Sequence, residues 1–194
     1  MKLAAMSVVF AVLVSGVFVT AQGPPTPTPP PELKKLDYFA GNWRAEGELK
    51  PGPMGPGGKF TETTHSEWMP GHFFLVERTT ASGVVGHLTE IAYLGYDTRD
   101  KAYTYDAFNS MGEAEHARGS VEGDTWTWTS TENMGGKIMK GRFTITVASP
   151  TSYNFKFEVA PEGAAEYTTV VEGKATKVLG AKTAKGAAGA ATKK

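Results

Sequence analysis

Four histidines, His65, His72, His87 and His116, are the first residues whose types could do chemistry. Metal binding needs imidazoles and carboxylates that converge, and no two of these histidines are spaced as a local ligand pair, so no metal site is expected. His116 stands apart. In the run from Glu113 to Arg118, a strand would place Ala114, His116 and Arg118 on one face and Glu113 and Glu115 on the other. With the first face turned inward, His116 and Arg118 become polar anchors in an apolar interior. No catalytic residues are expected: the chain has no Gly-x-Ser-x-Gly elbow, no HExxH and no dinucleotide fingerprint. PGPMGPGG (51–58) is glycine-rich but interrupted by proline, so it cannot open a helix onto a phosphate. The aromatic residues are the more suggestive set. Trp68, Phe74, Tyr93, Tyr105, Trp126, Phe155 and Phe157 could line a pocket for a small apolar ligand, or simply fill a core.

These side chains need strands to position them. From Tyr38 onward apolar residues recur with a period of two, clearest in Tyr153-Asn154-Phe155-Lys156-Phe157-Glu158-Val159, where large apolar residues alternate with polar ones. Turn residues separate the runs: Met69-Pro70-Gly71, Ser82-Gly83, Asn109 to Gly112, Glu122-Gly123-Asp124 and Pro161-Glu162-Gly163. The pattern predicts ten strands, near 42–49, 58–68, 72–80, 85–96, 101–108, 113–121, 124–130, 138–147, 152–159 and 165–176, with one helical turn between Glu32 and Phe39. Short links make successive strands antiparallel neighbours. Left open, such a sheet would carry two long unpaired edges; closure into an all-β, antiparallel up-and-down barrel removes them. A barrel of that size has room inside for a small ligand.

The ends read differently. Residues 1–21 combine Met1-Lys2, an apolar run from Leu3 to Val19 and a small-residue exit, the plan of a cleaved signal peptide, with an uncleaved anchor as the alternative. Residues 22–32 are a proline-rich linker, 33–178 the barrel domain, and 179–194 a Lys/Ala/Gly-rich tail with nothing large to bury. A secreted or periplasmic protein is expected, with no stable membrane insertion after signal cleavage. The chain has no cysteine, so no disulfide holds it. All 20 acidic residues lie between Glu32 and Glu172, whereas the segment from Lys174 onward carries lysines and no acid. An acidic body without a basic, aromatic-interleaved stripe argues against nucleic acid as a partner; no partner protein is indicated.

The opening of the barrel, LDYFAGNWRAEGEL, carries a glycine, a spacer and a tryptophan: Gly41 bends the chain into the first strand and Trp43 closes one barrel end. This resembles the Gly-x-Trp signature of lipocalins and their calycin relatives. With the GPGGKF run (55–60) and SEWMPGHFFLVER (66–78), it is similar to a family of exported bacterial calycin-like proteins of unknown function. The resemblance covers most of 33–176 and implies a lipocalin-like ligand-binding barrel. It also extends to nitrobindin-type haem barrels, which would imply an axial histidine near the chain end. The final strand here has none, His116 being the last histidine, so haem is disfavoured and no cofactor is expected. Where a lipocalin packs a late arginine on the tryptophan, this chain offers Lys174 or Lys177. The expected function is small-molecule binding; the alternatives are an enzyme of unknown reaction in the same cavity, or an envelope interaction protein with a solid barrel.

Overall fold

The computed structural model describes residues 27–52, 55–134 and 136–179. The expected signal peptide (1–21), residues 22–26 of the linker and 180–194 of the tail lie outside the described residues. Ten strands follow one short 3₁₀ helix (Pro31–Tyr38): β1 (Gly41–Leu49), β2 (Gly58–Trp68), β3 (Leu75–Gly83), β4 (Leu88–Asp97), β5 (Ala102–Asn109), β6 (Ala114–Glu122), β7 (Thr125–Met134), β8 (Lys137–Ser149), β9 (Ser152–Pro161) and β10 (Thr168–Lys177). Each strand pairs antiparallel with its sequence neighbours, and β1 pairs with β10 from Trp43↔Lys177 to Leu49↔Val171, closing the barrel.

All ten expected strands are present, with shifted boundaries. β3 starts at Leu75 rather than near 72 because the Met69–His72 turn is longer than a minimal hairpin. His72 N–H bonds the Met69 carbonyl at 2.9 Å, and Gly71 and His72 both take positive φ. β10 starts at Thr168 rather than 165, and β7 and β8 both run longer than the alternation suggested.

One end of the barrel is a packed floor. The 3₁₀ helix carries Leu33 and Leu36 inward and hands on to Phe39, all three buried. Trp43 donates its indole N–H to the Phe39 carbonyl at 2.8 Å. Around the rim, Trp68 Nε1 bonds Asp37 (2.9 Å), Tyr103 OH bonds the Glu32 carbonyl (2.9 Å), and Tyr38 OH bonds the carbonyls of Ser149 and Ser152 (3.0 Å each). Lys177 supplies the last anchor. Its ammonium bonds the Tyr38 carbonyl at 3.0 Å and stands 5.0 Å from the centre of the Trp43 ring. The helix is too short to be stable alone; these anchors and the buried Leu33, Leu36 and Phe39 fix it.

Inner-face glycines make room for rings. Gly47 and Gly173 are register partners on β1 and β10, flanked by Phe60 on β2 and Phe155 on β9. A Cβ on either glycine would meet the neighbouring phenyl ring at 2.4 Å. The rings therefore lie over the two glycines, which is why this part of the wall carries no side chains of its own.

Candidate functional site

Above the floor the barrel encloses a cavity of about 290 Å³. Its wall has two characters. One side is aromatic and aliphatic, with Trp128, Phe143, Ile145, Tyr153, Phe155 and Phe157 from β7, β8 and β9. The other side is acidic. Glu62 on β2, Glu77 on β3, Glu90 on β4 and Glu115 on β6 all face inward, accompanied by Thr64, Thr79 and Tyr105. Among the described residues, no lysine, arginine or histidine lines the space.

Register explains how four glutamates come to point inward. Residues paired across an antiparallel ladder share a face. Trp43, which must face in to close the floor, pairs with Thr64; Thr64 pairs with Thr79, and Thr79 with Glu90. Glu62 and Glu77 lie two residues along from Thr64 and Thr79, on the same inner face.

Three of the carboxylates, Glu62, Glu77 and Glu90, accept hydrogen bonds from hydroxyls. Ser66 Oγ donates to Glu77 at 3.1 Å, Thr64 Oγ1 to Glu62 at 3.3 Å and Tyr105 OH to Glu90 at 2.9 Å. Burial pushes Glu62 up to about 7, and the Glu90 charge pushes it the same way. Burial does the same to Glu77, also to about 7; the Ser66 bond opposes the rise, and the charges of Glu62 and Glu90 add to it. Glu90 is raised too, by burial first and then by Glu113, against the Tyr105 bond. Burial lifts the phenols of Tyr105 and Tyr153 well above their ordinary range. The Glu77 and Glu62 charges raise Tyr153 further, although it stands on the aromatic wall. Near neutral pH the acidic wall therefore holds a mixture of carboxylates and carboxylic acids. Among the described residues no three His, Cys, Asp or Glu side chains converge to hold a metal ion.

Trp128 adds an unusual feature. Its ring stacks on Trp126 (5.4 Å between centroids, 10° between planes), and its indole N–H is buried without a hydrogen-bond partner. That nitrogen lies against the inner face of Gly119, 2.6 Å from where a Cβ would stand.

Of the residues expected to meet a ligand, Tyr105, Phe155 and Phe157 line the cavity. Trp126 is buried lower down, edge-on to Phe39 at 5.2 Å and to Tyr103 at 4.8 Å, as part of the floor. Trp68 is at the floor's rim, bonded to Asp37 and stacked on His72. Phe74 is exposed, its ring over Gly95, and Tyr93 lies on the opposite face of β4 from the buried Ala92 and Leu94. His116 and Arg118 require a correction. Both are exposed on the outside, His116 bonded to Asp106 at 2.7 Å, while Glu115, Ala117 and Gly119 face inward. The reason is volume. Ala117 sits beside Tyr105 and Gly119 lies under Trp128, so the rings of adjacent strands fill the space and the inner face of β6 carries small residues. Gly41 and Trp43 occupy the closing positions at the floor, Gly41 with φ of 112°.

Residues 28–177 match the family described as "Protein of unknown function (DUF1579)". The chain belongs to that family. The barrel of this DUF1579 protein is also similar to the crystal structure of Rv2717c from M. tuberculosis, with a TM-score of 0.55 and 16% sequence identity. The likeness covers 78% of this chain and 99% of that one, and it concerns the fold alone. No curated protein matches.

Proposed function

We propose that this DUF1579 barrel reversibly binds a small molecule with a largely apolar body in its interior cavity. The observation that carries the reading is a cavity of about 290 Å³ with one wall of aromatic side chains. That is close to the lower end of ligand pockets, about 300–1,000 Å³, which are typically apolar with a few placed polar groups. Native mass spectrometry of the protein purified from its own host tests it. An added mass that is lost on denaturation supports the reading and delivers the ligand for identification. A clean apo mass, together with no uptake of the neutral apolar dye Nile red, overturns it.

A second reading rests on Glu62 and Glu77. Buried carboxyls titrating near about 7 are suited to general acid–base work. In that case Glu77→Gln abolishes turnover of whatever ligand is recovered while leaving its binding intact.

A further inference from the structure

The reading above leaves open what the acidic half of the cavity is for. Four inward glutamates are costly to bury, and three of them accept hydrogen bonds from hydroxyls. On an outer surface such a group would be solvated and silent. Here it shares the cavity with the aromatic wall of Trp128, Phe143 and Phe155. Any cation drawn in meets carboxylates on one side and ring faces on the other, and both attract it. An anion meets repulsion and, among the described residues, no lysine, arginine or histidine lining the cavity to receive it; Lys177 is held at the floor by Tyr38 and Trp43.

We propose that the cavity selects protonated amines with an apolar or aromatic body, the ammonium set against Glu62, Glu77 and Glu90 and the body against Trp128, Phe143 and Phe155. The proposal rests on the cavity-binding reading and gives it a ligand class. It also sets this barrel against carriers of carboxylate ligands, because a head group with a negative charge is rejected.

Three probes with one body and different heads test it: 4-phenylbutylamine, 4-phenylbutanol and 4-phenylbutyrate, titrated by calorimetry into the full chain. At about pH 8 the amine is expected to bind at least about tenfold more tightly than the alcohol, with no detectable binding of the butyrate. The groups facing the ammonium are Glu62, Glu77, Glu90 and Glu115 with Tyr105 and Tyr153, and the first two take up protons near about 7. The preference for the amine therefore narrows at about pH 6. The isosteric pair Glu62→Gln and Glu77→Gln, combined, should bring amine and alcohol affinities together, whereas Glu46→Gln on the outer face leaves them apart. If alcohol and amine bind equally in the unaltered protein, the amine selectivity is overturned and the cavity-binding reading stands. If no probe binds and Nile red is also refused, both fall.

Discussion

A carboxyl that holds its proton more tightly in the folded protein than in the unfolded chain makes stability depend on pH in a definite direction. Glu62 and Glu77 move from 4.5 to about 7 on burial. Between those values the folded state binds more protons, so their contribution is complete below about pH 4.5 and is lost as pH rises through 7. Glu158 works the other way. Burial pushes it up, but bonds from Lys156 and Arg142 outweigh burial and hold it below its ordinary value. Its contribution is present above 4.5 and lost in acid. The melting temperature is therefore expected to peak near about pH 5 and to fall toward pH 8 as the inner pair ionises. Glu77→Gln should flatten that decline, as thermal scans between the two pH values will read. A melting temperature that climbs steadily to pH 8 would contradict the buried-carboxyl account.

At the scale of elements, the wall beside Gly47 and Gly173 makes the sharpest demand on sequence. A methyl on Gly173 would meet Phe155 at 2.4 Å, the Glu46 carbonyl oxygen at 2.5 Å and the Gly47 Cα at 2.8 Å. The phenyl can turn aside; the two backbone atoms cannot. Gly173→Ala is expected to cost about 1–3 kcal/mol in denaturant unfolding, in the range of overpacked cores. A variant as stable as the parent would mean that the two strands can separate there freely. Elements of this kind also decide what can be read in advance. Alternation in Tyr153 to Val159 and the proline and glycine turns marked all ten strands. The acidic wall stayed hidden because the middle of β2, from Thr61 to Glu67, is polar on both faces, and only Phe60 and Trp68 at the strand's two ends mark an inward side. On β6 a rule that seeks bulk inside picks the wrong face, since its inner residues include Ala117 and Gly119. Trp43 held the missing signal. Carrying its inward face across successive antiparallel rungs reaches Thr64, Thr79 and Glu90, but only once the length of each hairpin turn is known.

Across the whole molecule, nine hairpins build the sheet, and a single long-range pairing, β1 with β10, removes its edges. Ending the chain at Gly163 deletes β10 and leaves β1 and β9 unpaired on one side. That truncated chain is expected to lose the cooperative thermal transition and to elute as oligomers, since exposed strand edges recruit one another. A monomer with a sharp melt would show that the nine remaining strands suffice. The same pairing has a consequence for the protein's synthesis. Leu33, Leu36 and Phe39 leave the ribosome before any strand of the barrel, yet Lys177, which anchors the helix that carries Leu33 and Leu36, is the final residue of β10. Until it emerges, the nascent chain displays a greasy plug with no vessel to stopper, throughout the synthesis of all ten strands.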